Sequence, residues 1–288
     1  MFLSEQRIKS RLRKYGVRPS RKAGQNFLKD SRVANSMVNA AHLNRDDRVL
    51  EIGGGLGTIT RWIAKAAGET WVVEIERGLV KALRDALKNY KEVHIIHGNF
   101  LEIDLPPANK IVSNLPYNIS SKTIFRILEE MEIDEAVLMF QKEFAERLDA
   151  EPSNRAFSRL TLNVQYHAEV EYLETVPAEK FYPVPAVDSA IVRITPQSRE
   201  VKAKDYVVFK WLLRGIYLFP KKQVGKALKM WLQNLGENPT LAGTMLAEVE
   251  PEIDETRRLR SITLEELIAL SDILTNRIDE GILEGPEE

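Results

Sequence analysis

A glycine-rich stretch, EIGGGLGT at residues 51–58, could bind a nucleotide-like ligand. It follows the apolar segment RVLEI and precedes TITRWIAKAA, which has helical spacing. Glycines at a strand-to-helix turn let the backbone approach a ligand closely, and an acid at the end of the next strand, here Glu74, can accept hydrogen bonds from ribose hydroxyls. Gly53, Gly55 and Gly57 therefore predict a nucleoside-binding loop, although a structural glycine turn could have the same spacing.

The last position of this loop narrows the choice of ligand. Thr58 stands where the dinucleotide-binding pattern G-x-G-x-x-G needs its third glycine. The shorter pattern G-x-G-x-G, preceded by an acid such as Glu51, is typical of α/β methyltransferases that use S-adenosylmethionine. A sulfonium ligand has no pyrophosphate to bind at the helix N-terminus. The loop therefore predicts S-adenosyl-L-methionine as the cofactor.

A second stretch, SNLPYNISS at residues 113–121, could hold the group that accepts a methyl. It follows another apolar segment, so both loops should face one crevice at the carboxyl ends of the strands. The side-chain oxygen of Asn114 and the backbone carbonyl of Leu115 offer two acceptors for the N–H groups of an exocyclic amine, which would aim its lone pair at the methyl carbon. Pro116 stiffens the loop, and Tyr117 offers an aromatic face for a flipped base. A tight turn before a serine-capped helix is the structural alternative.

A third segment, EKFYPVPAVDSAIVRI, is rich in aromatic residues and proline before the last predicted strand. Its structural interpretation is a stiff connection at the sheet edge, where proline is tolerated. Its functional interpretation puts Phe181 on the opposite side of a base from Tyr117.

The elements that must position these loops form an α/β pattern. Apolar strands alternate with helical segments from residue 48, which predicts a mostly parallel sheet with helices on both faces. Seven strands are predicted, and the last two form an antiparallel edge: RVLEI, TWVVEI, VHIIHG, KIVSN, EAVLMFQ, LTLNVQY and SAIVRIT. After residue 198 the pattern is helical only, and Thr263 with Glu266 forms a capping box. We therefore expect a basic segment at 1–24, a methyltransferase domain at 25–198 and a small helical domain at 199–288.

Composition excludes several classes of protein. The 288 residues include no cysteine, so disulfides and thiolate metal sites are excluded. The apolar runs are too short to span a bilayer, and the N-terminus lacks the pattern of a secretory signal. His94 and His97 should point to opposite faces of one strand, so no metal site is predicted. We expect a cytoplasmic protein.

The net charge of −1 conceals two basic regions. Residues 1–24 contain eight bases and one acid, and residues 199–231 contain nine bases and two acids. Clusters of this kind suit a polyanion such as RNA, although a solvated surface would have the same composition.

The ordered combination of motifs closely resembles the KsgA-type ribosomal RNA adenine dimethyltransferases, in particular their archaeal and eukaryotic branch. The resemblance covers nearly the whole chain, and its motifs are RKAGQNFL, EIGGGLGTIT, VVEIE, SNLPYNISS, LMFQKEFAERL, SRLTLNVQY, FYPVPAVDSAIVRI and RRLRSITLEEL. It implies a Rossmann-like class I methyltransferase fold and dimethylation of two adjacent adenosines in a 3′-terminal hairpin of small-subunit rRNA. The implied partner is an assembling small ribosomal subunit, which the helical domain helps to contact; we expect a monomer.

The resemblance also implies roles for individual residues. The expected cofactor site consists of Gln25, Asn26, Leu28, Gly53, Gly55, Glu74, Ile75, Asn99, Phe100 and Asn114. The expected target pocket consists of Asn114, Leu115, Pro116, Tyr117 and Phe181.

One position departs from the family pattern. The family usually has Gly-Asp after the third strand, where the acid accepts a hydrogen bond from the cofactor's adenine amine, whereas this chain has Gly98-Asn99. A neutral acceptor should bind this amine more weakly. This departure keeps open a ribosome-assembly binding factor of the same fold with weak or no turnover. A methyltransferase for another adenine or amide is a second alternative, because Asn-Pro-Pro-Tyr loops serve such enzymes. A relative that methylates a large-subunit rRNA adenine is less compatible with the C-terminal helices.

Overall fold

The computed structural model describes residues 4–20, 24–197 and 202–286. These residues form two compact units. The first contains the described residues up to Glu146 together with Ala168–Gln197. The second contains Arg147–His167 together with the described residues from Lys202 onward.

The first unit contains the strands and the helices that flank them. Its strands are β1 Phe27–Leu28, β2 Arg48–Ile52, β3 Glu69–Glu74, β4 Val93–His97, β5 Lys110–Asn114, β6 Glu135–Gln141, β7 Ala168–Val176, β8 Phe181–Tyr182 and β9 Ser189–Pro196. Its helices are α1 Glu5–Lys14, α2 Ser31–Ala40, α3 Thr60–Ala66, α4 Arg77–Leu87, α5 Ser120–Glu130 and α6 Lys142–Leu148, which ends in the second unit.

A seven-stranded sheet forms the centre of the first unit, in the order β4-β3-β2-β5-β6-β9-β7. Strands β2 to β6 are parallel, and β9 pairs antiparallel with both β6 and β7. This arrangement confirms the predicted mostly parallel sheet with an antiparallel edge. Because β2, β3, β4 and β5 are parallel, the loops that follow all four strands meet at one edge of the sheet.

The central strands are buried along most of their length because helices cover both faces. Residues 136–140 of β6 are all buried, as are Val49 to Ile52 of β2. Helix α4 places Leu79, Leu83 and Leu87 at helical spacing on its buried face. The helices thus fix the sheet and, with it, the positions of the loops at its carboxyl edge.

Helix α1 packs within the first unit. Its apolar residues Ile8 and Leu12 share a core cluster with Leu56 and Leu79. The Lys14 ammonium donates to the carboxylate of Asp85 on α4 at 2.9 Å. The Tyr15 hydroxyl donates to the same carboxylate. The basic segment predicted at residues 1–24 therefore contains a helix that packs within the first unit; Arg21 and Lys22 lie outside the described residues.

The segment predicted as the strand LTLNVQY is a helix, so this prediction was wrong. Helix α7 spans Arg159–Gln165 and begins at a capping box formed by Ser158 and Thr161. Residues 160–164 are all buried, so the alternation of apolar and polar residues does not produce an exposed face. The edge strand is β7 instead, where Glu169 and Glu171 are exposed.

The second unit is helical. It contains α7, α8 Tyr206–Ile216, α9 Val224–Asn234, α10 Leu241–Ala247 and α11 Leu264–Asp279. One apolar cluster joins Phe157 and Leu162 to the faces of α8, α9 and α11. Residues 147–167 therefore belong to this unit, whereas the sequence predicted a single boundary near residue 199.

The predicted capping box at α11 is confirmed. Thr263 N donates to Glu266 Oε2 at 2.7 Å, and Glu266 N donates to Thr263 Oγ1 at 3.2 Å. Among the described residues, no helix combines the length and apolar composition that a membrane span needs.

The contact between α8 and α9 predicts an unusual response to alanine at Gly215. A Cβ at Gly215 would lie 2.1 Å from Trp231 Nε1. Alanine normally stabilises a helix by about 1 kcal/mol relative to glycine, but overpacking costs about 1–3 kcal/mol. We expect Gly215→Ala to lower the free energy of unfolding by about 1–2 kcal/mol, as measured by urea denaturation.

Gly243 in α10 is the matched control, because nothing lies within 4 Å of a Cβ there. We expect Gly243→Ala to raise the free energy of unfolding by up to about 1 kcal/mol. Equal stabilisation by both substitutions would contradict the tight packing at Trp231.

Candidate active site

A cleft of about 370 Å³ lies at the carboxyl ends of β2, β3, β4 and β5. All of the residues expected to bind the cofactor line it: Gln25, Asn26, Leu28, Gly53, Gly55, Glu74, Ile75, Asn99, Phe100 and Asn114. Leu115, Pro116 and Tyr117 line it too, whereas Phe181 does not. The parallel sheet thus gathers the predicted loops into one site.

The glycine loop has a backbone that other residues adopt with difficulty. Gly53 and Gly55 have φ angles of +79° and +55°, which favour glycine. A Cβ on Gly55 would lie 3.5 Å from the Phe27 ring, and one on Gly53 would lie 3.5 Å from the Pro116 ring. The loop therefore lies between Phe27 and Pro116 and leaves its backbone open to a ligand.

Glu74 at the end of β3 holds the glycine loop. Its Oε2 accepts from Gly55 N at 3.0 Å, and its Oε1 accepts from Glu76 N at 2.9 Å. Burial raises the pKa of Glu74 above its ordinary value, against the effect of these hydrogen bonds. Each oxygen retains a lone pair for a ligand hydroxyl. The next residue, Ile75, is 61% exposed and offers an apolar surface at the cleft.

Glu51 is a second buried carboxyl group in the cleft. It is 2% exposed, and its Oε2 has no hydrogen-bond partner in the described part of the chain. Burial raises the pKa of Glu51 to about 8, so the ligand-free site favours its neutral form at pH 7. A cationic ligand group beside it would favour the carboxylate.

Asn114 ends β5 with its carboxamide fixed at one side only. Its Nδ2 donates to the carbonyl of Asn26 at 3.3 Å. Its Oδ1 is buried and has no hydrogen-bond partner among the residues described. The preceding Ser113 donates its hydroxyl to the Ile52 carbonyl at 2.5 Å, which ties the end of β5 to the glycine loop. Asn114 therefore lines the cleft with an oriented amide whose buried oxygen is unsatisfied.

Tyr117 is fixed by its hydroxyl, which lies 2.6 Å from Ser189 Oγ on β9. Burial raises the pKa of this phenol, so the ring is neutral at ordinary pH. Gly24, with φ +63°, allows the N-terminal segment to approach closely, because a Cβ there would lie 2.9 Å from Tyr117 N. The ring is thus held in one orientation beside Asn114.

The structure does not bring Phe181 into the cleft. Phe181 is fully buried and pairs with Leu28 across the short β1–β8 ladder. It belongs to the apolar cluster that contains Met37 and Val38 of α2. In this conformation Phe181 supports the segment that carries Gln25 and Asn26 and lies outside the cleft lining.

Sequence reasoning missed Arg126, which holds the loop after β4. Its guanidinium donates to the carbonyl of Phe100 and, at 2.7 Å, to that of Ile103. It also lies over the Phe100 ring, 5.4 Å from the centroid. Arg126 belongs to α5, which directly follows the Asn114 loop, so it joins two walls of the cleft. One arginine among many charged helix residues gives no sequence signal for this role.

No group of three or more His, Asp or Glu side chains in residues 4–20, 24–197 and 202–286 could hold a metal ion. The unsatisfied groups of the cleft are instead two oxygens that suit an organic ligand, Glu51 Oε2 and Asn114 Oδ1.

The chain is similar to several known proteins. The sequence profile of the family described as ribosomal RNA adenine dimethylase matches residues 18–274. A relative from Methanopyrus kandleri named "Probable ribosomal RNA small subunit methyltransferase A" is 40% identical over 85% of this chain and 89% of its own length. A relative of the same name from Methanococcus maripaludis is 36% identical over 91% of this chain and 100% of its own length.

Two solved structures are also similar. A dimethyladenosine transferase from Plasmodium falciparum has a TM-score of 0.76 and 26% identity, over 89% of this chain and 98% of that chain. The 23S rRNA methyltransferase ErmE has a TM-score of 0.68 and 26% identity, over 87% of this chain and 100% of that chain.

The raised pKa of Glu51 predicts how the ligand-free protein responds to pH. Between the ordinary pKa of 4.5 and the folded-state pKa of about 8, the folded protein holds more protons than the unfolded chain, so this group makes stability fall as pH rises. Glu51→Gln should flatten this fall and, at about pH 8, raise the free energy of unfolding by on the order of 1–3 kcal/mol. Urea denaturation from about pH 5 to pH 8.5 measures both effects. If the free energy of unfolding changed with pH in parallel for the wild type and Glu51→Gln, the raised pKa of Glu51 would be contradicted.

Proposed function

This chain belongs to the ribosomal RNA adenine dimethylase family, and we propose that it methylates the exocyclic amines of two adjacent adenosines in the 3′-terminal hairpin of small-subunit rRNA. Its membership makes it an rRNA adenine dimethyltransferase that uses S-adenosylmethionine. The proposed substrate form is an assembling small ribosomal subunit in the cytoplasm, on which the protein acts as a monomer. The relatives' printed name, small subunit methyltransferase, supports this choice of subunit.

The cleft fits the cofactor by its chemistry. Glu51 offers a buried carboxyl for the ammonium of the methionine part, Glu74 offers acceptors for the ribose, and Ile75 offers an exposed apolar surface for the adenine. The glycine loop lines the same cleft as these groups. S-adenosylmethionine, when bound, supplies a methyl group on a positively charged sulfur.

The observation that carries the proposal is the unsatisfied Oδ1 of Asn114. Since its Nδ2 is bound to the Asn26 carbonyl, the amide presents its oxygen to an incoming donor. An adenine amine is a weak nucleophile because its lone pair is delocalised into the ring. Acceptance of its N–H hydrogens by Asn114 Oδ1 and the Leu115 carbonyl would favour a pyramidal nitrogen and aim the lone pair at the methyl carbon.

Tyr117 would orient the base. Its hydroxyl is fixed by Ser189 before a base binds. Stacking of a flipped adenine on the ring would therefore cost little side-chain conformational entropy. Such stacking is worth about 1–3 kcal/mol per base. Pro116 limits the motion of this loop.

The proton balance requires no strong base. After transfer, the nitrogen carries a positive charge and an additional methyl group, and it readily releases a proton to water. The monomethylated amine retains one N–H, so one of the two acceptors suffices for the second transfer. Glu74 is engaged with backbone N–H groups and need not take this proton.

Basic surfaces support an RNA substrate. Arg7, Arg13 and Arg18 are exposed in the first unit, and Lys221 and Lys226 are exposed in the second. The apolar face of α1 packs on Leu56 and Leu79, which line the cleft, so the exposed face of this helix belongs to the surroundings of the site. Arg199, like Arg21 and Lys22, lies outside the described residues.

Replacement of Asn114 tests the proposed chemistry. We expect Asn114→Ala to lower kcat for transfer of labelled methyl groups to unmodified small subunits by about 100-fold, because it removes an acceptor aimed at the reacting amine. Affinity for small subunits should change by less than about threefold. Ser121→Ala, at an exposed position of α5, is the control and should retain activity. Retained subunit binding without transfer by the unaltered protein would favour the assembly-factor alternative.

Removal of charge from α1 tests the RNA surface. The double variant Arg7→Ala, Arg13→Ala should weaken subunit binding and reduce the slope of log affinity against log salt by about 1.5–2. Lys91→Ala is the control, because this exposed lysine lies at the amino end of β4, whereas the cleft lies at the carboxyl ends of the strands. An equal loss of subunit affinity in Lys91→Ala would show a general effect of charge and would contradict an RNA-binding surface on α1.

A further inference from the structure

The loop after β4 contains a polar pair formed by Asn99 and Glu102. Asn99 Nδ2 donates to Glu102 Oε1 at 2.7 Å. Asn99 Oδ1 accepts from Leu101 N at 3.1 Å. Asn99 lines the cleft, whereas Glu102 is exposed and lies outside the cleft lining. The carboxylate therefore touches the cleft only through the carboxamide.

We propose that Glu102 is a positioning residue that supplies, through Asn99, the negative charge that an aspartate at position 99 would place beside the cofactor's adenine amine. This inference rests on the proposed function, because it assumes that the adenine lies against Asn99. Glu102 acts in two ways, one geometric and one electrostatic.

The geometric effect concerns the orientation of the carboxamide. An asparagine side chain can rotate to present either its oxygen or its NH₂ group. Because Glu102 accepts from Nδ2, the NH₂ group is held toward the carboxylate. The oxygen accepts from Leu101 N with one lone pair and has the second available for an amine. Without Glu102, only the hydrogen bond from Leu101 N would hold this orientation. An amide that turned would present its NH₂ group to the adenine amine, and two donors would repel each other.

The electrostatic effect concerns the strength of the oxygen as an acceptor. A hydrogen bond from an amide N–H to a carboxylate is charge-assisted. Such a bond polarises the amide and increases the negative charge on its oxygen. Asn99 Oδ1 should therefore accept more strongly than the oxygen of an isolated carboxamide.

The backbone of the loop keeps the pair together. Glu102 N and Ile103 N both donate to the Asn99 carbonyl, at 2.9 and 3.1 Å. Arg126 binds the carbonyls of Phe100 and Ile103 from α5. Asn99 and Glu102 are thus held three residues apart in one turn, and their side chains meet without a change in the fold.

This arrangement makes an aspartate unfavourable at position 99. The substitution Asn99→Asp would place a second carboxylate at hydrogen-bond distance from Glu102, with no donor between them, and like charges repel. An aspartate at position 99, which the resemblance implies for the family, should therefore weaken the site unless Glu102 changes as well. Glutamine at position 102 would restore one donor between the two side chains, with the charge moved to position 99.

A double-mutant cycle tests the pair by binding alone. Isothermal titration with S-adenosylhomocysteine compares the wild type, Glu102→Gln, Asn99→Asp and the double variant. We expect each single variant to bind about 3–10-fold more weakly, and the double variant to bind within about twofold of the wild type. Asp104→Asn is the control for loss of a negative charge on the same loop and should leave affinity within about twofold.

A second ligand distinguishes the proposed contact from a general effect on the loop. For the analogue of S-adenosylhomocysteine that lacks the 6-amino group, Glu102→Gln should change affinity by less than about twofold, because the amine that Asn99 would contact is absent. Equal losses for both ligands, or additive losses in the double variant, would overturn the role of Glu102 while leaving the proposed function intact. Failure of the wild type to bind S-adenosylhomocysteine would overturn the proposed function and this inference together.

Discussion

The parallel register of β2, β3, β4 and β5 is the constraint on which the site depends. A parallel sheet ends all of its strands in the same direction, so residues far apart in sequence meet at one edge. Gly53, Glu74, Asn99 and Asn114 each follow or end one of these strands and share one cleft. Helices on both faces bury most of the length of the central strands, which fixes the register because a shift would move apolar residues out of the core.

Buried hydrogen-bond acceptors belong to the residues that line the cleft. Glu51 Oε2 and Asn114 Oδ1 are buried without partners in the described residues, and burial raises the pKa of both Glu51 and Glu74. Buried polar groups without partners destabilise a ligand-free protein. A ligand that brings an ammonium, hydroxyls and an amine would satisfy these groups, which links the cost in stability to recognition of the cofactor and the target base.

The sequence predicted the sheet, its antiparallel edge and the loops that meet in the cleft, because strand and helix periodicities are local signals. It could not separate Leu160–Tyr166 from a strand, since burial on every side removes the contrast between faces. It put Phe181 beside a base, yet the two-residue β1–β8 ladder buries that ring in the core. Arg126 and Glu102 act through contacts that depend on one turn of backbone, which composition and spacing do not reveal.

The two acceptors after β5 are central to the proposed reaction, in which they orient the amines of paired adenosines in one RNA hairpin for methyl transfer. The most direct measurement is mass spectrometry of the nuclease fragments of small-subunit rRNA, after reaction of unmodified subunits with the protein and S-adenosylmethionine. We expect two adjacent N6,N6-dimethyladenosines in the 3′-terminal hairpin and no other change of mass. Methylation confined to another site, or to an atom other than the exocyclic nitrogen, would contradict the proposed reaction.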